Sequence, residues 1–159
     1  HSKYTSTICI SLYTGGFLFY APLLRSLENG MEWLFFTLLV IFTTDTCAYL
    51  VGKSIGKRPL ASFISPSKTW EGACGGIIGA IVISLVIINF TPLNLSTIET
   101  IMLATTVSIL GQFGDLIESN LKRRAKIKNS GRLILGHGGV LDRIDSIVPN
   151  LLVVYYFAL

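Results

Sequence analysis

A chain of 159 residues that is 51% hydrophobic and only 14% charged, with a mean hydropathy of +0.64, has more apolar surface than a soluble domain of this length can bury. That balance excludes an ordinary soluble enzyme, and no nucleic-acid partner is expected despite a net charge of +4. The three cysteines, Cys9, Cys47 and Cys74, lie in or beside apolar segments without a CxxC pair. They read as small packing residues rather than disulfide or zinc ligands.

The apolar residues come in blocks, taken here in chain order: Ile8 to Leu24, Trp33 to Val51, Ala73 to Phe90, Ile101 to Phe113 and Ile144 to Leu159. A helix needs roughly 20 residues to cross a bilayer. The second and third blocks reach that length unaided, while the fourth and fifth borrow flanking Thr, Ser and Gly. The expectation is an all-α, polytopic integral membrane protein, a single membrane-embedded catalytic domain over residues 1–159 with about five transmembrane helices. The first block lacks the frame of a cleaved signal peptide. With His1 at the start and a span following almost at once, further N-terminal spans are expected to precede it.

Polar residues punctuate these blocks in a patterned way. Asp45 falls within the second, where an ionisable side chain is costly and points to function; a helix–helix hydrogen bond through Thr43, Thr46 or Tyr49 is the structural alternative. The following loop contains Gly52, Gly56, Lys57 and Arg58. It is not a Walker A loop, because three residues rather than four separate the glycines and Arg58 stands where Ser or Thr is required. Ser65-Pro-Ser-Lys68-Thr69-Trp-Glu71-Gly72 leads into the third block, with Ser67 the expected helix cap and Lys68, Thr69 and Glu71 facing an anion-binding site.

Asp115 closes the fourth block. If that helix continues, Asp115, Glu118, Ser119 and Lys122 share one face at i, i+3, i+4, i+7 spacing. Such a stripe is either a solvated salt-bridged face or, at a membrane border, a paired or metal-bound set. A basic stretch with Arg123, Lys126 and Lys128 leads to Gly136-His137-Gly138-Gly139, then Asp142-Arg143-Ile-Asp145 at the start of the fifth block. Glycines let backbone amides approach an anion, and the next helix N-terminus adds its positive dipole. Asp142 and Asp145, spaced i, i+3, either favour that dipole or join Asp115 and Glu118 in holding a cation. Magnesium, which takes oxygen ligands and shares them with substrate phosphates, is the favoured reading.

Charge placement sets the topology. Of thirteen Lys and Arg, four lie between Gly52 and Gly72 and seven between Asp115 and Asp145. Two spans separate these stretches, so parity puts both on one face, which the positive-inside rule makes cytoplasmic. Anchoring beside anionic lipid accounts for the cations, but not for the acids and the histidine among them.

In this order the segments resemble the phosphatidate cytidylyltransferase family. Asp45-Thr-Cys-Ala48-Tyr49 with Gly52, Gly56 and Lys57 resembles its D-x-x-A-Y segment and Gly-Lys turn. Ser65 to Gly72 resembles S-P-x-K-T-W-E-G, Ser119, Lys122 and Arg123 its S-x-x-K-R, and His137 to Asp145 its closing H-G-G-x-x-D-R-x-D. Two positions depart: Asn129 stands where the family has Asp, and Leu135 where Pro or Gly is expected.

The resemblance implies transfer of CMP from CTP to phosphatidic acid, giving CDP-diacylglycerol and pyrophosphate in phospholipid biosynthesis. It implies Asp115, Lys122, His137, Asp142, Arg143 and Asp145 as catalytic residues. Ser65, Lys68, Thr69, Glu71, Ser119, Arg123, Lys128, Gly138 and Gly139 would bind substrate. Asp115 and Asp142 would be the principal Mg²⁺ ligands, with Asp145, Glu118 and Asp45 supporting them or holding a second cation. The expected partners are CTP, phosphatidic acid and the bilayer, with a homodimer left open, in a bacterial inner membrane with the site facing the cytoplasm. The nearest competitor is a CTP-dependent polyprenol or phytol kinase. A transporter or membrane scaffold with basic lipid-anchoring loops is the non-enzymatic alternative.

Overall fold

The computed structural model describes residues 16, 18–61, 65–124 and 146–159, leaving aside the side chains of Pro66, Leu121, Lys122 and Arg124. A short helix α1 (Tyr20–Arg25) precedes a long helix α2 (Gly30–Ile55). A two-stranded antiparallel ribbon follows, β1 (Pro59–Ala61) paired with β2 (Ser65–Thr69), Pro59 opposite Thr69 and Ala61 opposite Ser65. Helix α3 (Trp70–Ile87) runs on into a 3₁₀ turn at Ile88–Phe90; then come α4 (Thr97–Arg124) and α5 (Val148–Ala158).

Gly30–Ile55, Trp70–Phe90 and Thr97–Asn120 are long and apolar enough to cross a bilayer, and the chain is an all-α polytopic membrane protein. The fifth block forms an apolar helix of 11 residues, and most of the first lies outside the described residues. Side-chain placement fits lipid as solvent. Phe35, Phe42, Ile78, Val82, Met102 and Phe113 all point outward and are more than half exposed, whereas the hydroxyls of Thr37 and Thr44 are buried and donate to the carbonyls of Trp33 and Val40. In water that arrangement would be costly; in hydrocarbon, inward polar groups paired with their own helix are the stable solution.

Small residues let α2 and α3 approach closely. Gly72, Gly76 and Ala80 recur every fourth position on α3 and are buried. A Cβ on Gly76 would stand 3.0 Å from the Thr44 carbonyl oxygen, and one on Gly79 2.5 Å from the Cys47 sulfur. The two helices therefore run antiparallel with backbones nearly touching, the geometry small-xxx-small spacing permits. At the far end from the ribbon, Leu24, Trp33, Phe36, Leu103, Leu151 and Val154 make an apolar core, with Trp33 edge-on to Phe36 and to Phe157.

Helix α4 begins with a reciprocal cap. The Glu99 carboxylate accepts from the Ser96 amide at 2.8 Å and hydroxyl at 2.7 Å, and the Glu99 amide donates to the Ser96 hydroxyl oxygen at 3.3 Å. At its other end α4 outruns the apolar block and carries Asp115, Glu118 and Ser119 beyond it as one unbroken helix. Ser146, which opens the last described stretch, lies within 4 Å of where a Cβ on Gly111 would be. The chain thus leaves after α4 and returns before α5 at the ribbon end of the bundle.

Candidate active site

The ribbon is held against the mouth of α2 and α3 by backbone and capping contacts. The Trp70 amide donates to the Arg58 carbonyl at 3.0 Å. The Thr69 hydroxyl accepts from the Gly72 amide at 3.1 Å and caps α3. Thr69, not Ser67, is therefore the N-cap. Ser67 belongs to β2, because strand pairing extends through Thr69 before helical geometry begins. Thr69 sits in a nook of three glycines. A Cβ on Gly52 or Gly72 would stand 3.0 Å from its hydroxyl oxygen, and one on Gly56 would stand 2.6 Å away. Those glycines, which superficially suggest a phosphate loop, make room for the cap.

Below this junction lies a cavity of about 570 Å³ between α2, β2, α3 and α4. From α2 it is bordered by Asp45, Tyr49 and Lys53; from β2 by Ser67, Lys68 and Thr69; from α4 by Gln112 and Asp115. Lys68 and Asp115 form an ion pair, their side chains 26% and 35% exposed. The Ser119 hydroxyl donates to the other Asp115 oxygen at 3.4 Å, as expected of residues one turn apart on the α4 stripe. The Lys53 ammonium lies 5.7 Å from the centre of the Tyr49 ring, a cation–π distance. The Gln112 amide nitrogen is 3.3 Å from both the Ala73 carbonyl oxygen and the Ser108 hydroxyl, tying α4 to the first turn of α3.

Of the residues singled out from sequence, Asp45, Lys68, Thr69 and Asp115 border this one cavity, and Ser119 touches it through Asp115. Glu118 is buried on α4, and Arg123 is exposed further along the same helix. Ser65 begins β2 and is not among the cavity residues. Glu71 lies elsewhere too, bordering a separate hollow on the other side of the α2–α3 pair with Lys57, Arg58 and Trp70. One of its carboxylate oxygens accepts from the backbone amides of Lys57 and Arg58, both at 3.2 Å, so it clamps the turn after α2. Lys122 is on α4 with its side chain outside the described set, and Lys128, His137, Gly138, Gly139, Asp142, Arg143 and Asp145 lie outside the described residues altogether.

Lys53 and Gln112 were not selected from sequence, and Ser67 was selected as a helix cap rather than as a cavity residue. The first two carried a signal: Asp45, Tyr49 and Lys53 follow i, i+4, i+8, and Gln112 precedes Asp115 by three, so each shares a helix face with an acid already chosen. The place of Ser67 at the cavity carried none, since it depends on the ribbon.

Among the described residues no group of three or more acids, histidines or cysteines converges to hold a metal. Two carboxylates on different helices, Asp45 and Asp115, do border one cavity together with two ammonium groups. Oxygen donors of that kind suit a hard divalent cation, and the lysines suit phosphate.

Charged cavity, ribbon and lipid-facing helices define a multi-pass membrane protein with a polar site at one end of its spans. All of residues 1–159 match the Cytidylyltransferase family model, and the chain belongs to that family. It is 42% identical over 137 residues to a phosphatidate cytidylyltransferase of Bacillus subtilis, covering 86% of this chain and 51% of that protein. With the phosphatidate cytidylyltransferase of Staphylococcus haemolyticus it shares 43% over 136 residues, and with that of Staphylococcus aureus strain COL 39% over 135, in both cases 84% of this chain and 51% of the relative. The chain thus spans about half the length of the curated relatives it matches.

Proposed function

We propose that this chain forms the catalytic part of a phosphatidate cytidylyltransferase, which transfers CMP from CTP to phosphatidic acid and releases pyrophosphate. The observation that carries the reading is the meeting of Lys68, from the ribbon, with Asp115, from α4, in a cavity that Asp45 and Lys53 also border. Cations for phosphate and acids for a metal from sequence-distant elements are what nucleotidyl transfer requires; lipid anchoring alone needs only the cations.

In the reaction, a phosphate oxygen of the lipid forms a bond to the α-phosphorus of CTP while the bond from that phosphorus to the β-phosphate bridging oxygen breaks. Such chemistry depends on placement and charge neutralisation more than on a protein nucleophile. Asp115 and Asp45 would hold Mg²⁺, with Asp142, Asp145 and Glu118 completing the set or holding a second cation. When bound, the cation neutralises phosphate oxygens. Lys68, Lys122, Arg123, Lys128 and Arg143 hold phosphates, and Gly138 and Gly139 serve the same binding. His137 orients a phosphate oxygen, Ser119 steadies Asp115, and Thr69 fixes the strand that delivers Lys68.

Ser146, which opens the last described stretch, lies beside Gly111, and Gly111 stands one helical turn before Asp115. The basic charge at this end supports a cytoplasmic site in a bacterial inner membrane, which CTP reaches from solvent and the lipid reaches sideways. The test is incubation of membranes containing the full-length protein with labelled CTP and phosphatidic acid. A lipid-soluble cytidine product is expected. A phosphorylated lipid alcohol formed from γ-labelled CTP would instead establish a kinase, and no turnover of CTP would favour a scaffold.

A further inference from the structure

Asp115 is engaged at both oxygens: one pairs with the Lys68 ammonium, the other accepts the Ser119 hydroxyl. A divalent cation on Asp115 needs the position that the Lys68 ammonium holds, and two positive groups cannot share it without strong repulsion. Lys68 is suited to yield. Its pair with Asp115 is a quarter to a third exposed, so solvent weakens it, and its ammonium is a point charge on a flexible stem that can swing without moving the strand.

The cavity's charges add to the argument. Asp45 and Asp115 balance Lys53 and Lys68, so a divalent cation alone leaves the site strongly positive, and the phosphates of a nucleotide restore balance. We propose that Lys68 is the resting counter-ion of Asp115, displaced from it by the entering cation and then taken up by the nucleotide's phosphates. This rests on the reading of Asp115 as a cation ligand made above. The consequence is positive coupling: cation and nucleotide each bind more tightly when the other is present, and by linkage the factor is the same in both directions. Lys68 is then a positioning residue that carries this coupling as well as a phosphate ligand.

The test is Mn²⁺ binding to the full-length protein in nanodiscs, followed by electron paramagnetic resonance first without nucleotide and then with CTP, in both cases without phosphatidic acid and therefore without turnover. Removing the resident ammonium in Lys68→Met should tighten Mn²⁺ binding about five- to tenfold, the scale of a partly screened ion pair, and CTP should then raise Mn²⁺ affinity less than it does in the unaltered protein. Lys68→Arg, which keeps the charge, should stay within about twofold of the unaltered protein. Asp115→Asn should abolish the binding. If Asp115→Asn abolishes binding but Lys68→Met binds Mn²⁺ no more tightly than the unaltered protein, the exchange is wrong and the ligand reading stands. Unchanged Mn²⁺ binding in Asp115→Asn overturns both.

A second measurement needs no variant. Reductive methylation of Lys68, read by mass spectrometry, should accelerate when Mn²⁺ is added alone and slow again when CTP follows. No acceleration by Mn²⁺ alone overturns the exchange.

Discussion

Gly72 lies so close to Ala48 that a Cβ on it would stand 2.6 Å from the Ala48 carbonyl oxygen and 3.2 Å from the Gly52 Cα. This is the contact that seats the start of α3 against the end of α2, and everything the ribbon presents to the cavity hangs from it. Gly72→Ala must push the helices apart. Overpacking of this kind costs about 1–3 kcal/mol, so thermal unfolding in detergent should shift down measurably. The same substitution at Gly16, with nothing among the described residues within 4 Å of its position, should leave unfolding unchanged.

Asp115 and Glu71 should respond very differently to loss of charge. Asp115 faces the cavity and pairs with Lys68, so Asp115→Asn should lower kcat/KM at least about a hundredfold, because an amide cannot neutralise a cation as a carboxylate does. Asp142→Asn should match it, with membrane insertion intact in both. Glu71→Gln keeps an oxygen for the amides of Lys57 and Arg58 and lies on the other side of the α2–α3 pair; its kcat/KM should fall less than about tenfold. A Glu71→Gln loss as deep as that of Asp115→Asn would place Glu71 at the chemistry after all.

Thr69 separates a capping role from a binding one. Its hydroxyl accepts the Gly72 amide, and a lost N-cap costs about 1 kcal/mol. Thr69→Ser should keep both stability and activity. Thr69→Ala should lower the unfolding temperature and, by loosening the strand that carries Lys68, raise the KM for CTP more than it lowers kcat. Unaltered stability in Thr69→Ala would argue that the hydroxyl serves substrate instead.

The ends of the bundle give a direct test of orientation. Lys57 follows α2, Arg123 closes α4 and Thr97 begins α4. In a background lacking Cys9, Cys47 and Cys74, cysteines at Lys57 and Arg123 should react with an impermeant thiol reagent from the same side, and a cysteine at Thr97 from the other. Opposite sidedness for Lys57 and Arg123 would break the antiparallel arrangement of α2, α3 and α4.

What could be read from the sequence followed from its physical signals. Long apolar runs mark spans because length and hydropathy are local properties, and α2, α3 and α4 fall where those runs lie, each lengthened by polar turns that composition alone could not assign. The stripe Asp115, Glu118, Ser119 was legible because helical periodicity persists past the membrane border. The ribbon was not. Pro59, Ser65, Pro66 and Ser67 are poor strand formers, and two such short strands pair only because α2 and α3 hold their ends together. Missing it moved the cap from Thr69 to Ser67 and set Glu71 beside Lys68, although the two leave the junction in opposite directions. Lys53 and Tyr49 needed only one further step along the stripe that begins at Asp45.

Asn129 marks the sharpest departure from the family pattern, and it follows Lys128 in the segment that begins where α4 ends and finishes at Ser146, both at the cavity's end of the bundle. An acid is expected at that position. If it normally supports cation or substrate, this protein works below its capacity and Asn129→Asp should raise kcat/KM. A new carboxylate could instead repel the phosphates of CTP. Two features favour the gain: the stretch from Asp115 to Asp145 carries seven Lys and Arg against four acids, and the cavity's own lysines are balanced by Asp45 and Asp115, so one more negative charge leaves the segment positive. A unit charge near a partly screened site shifts a rate by roughly tenfold. Measured at saturating Mg²⁺, Asn129→Asp should therefore increase kcat/KM by up to about that factor; a decrease would mean that the cavity is complete without this acid.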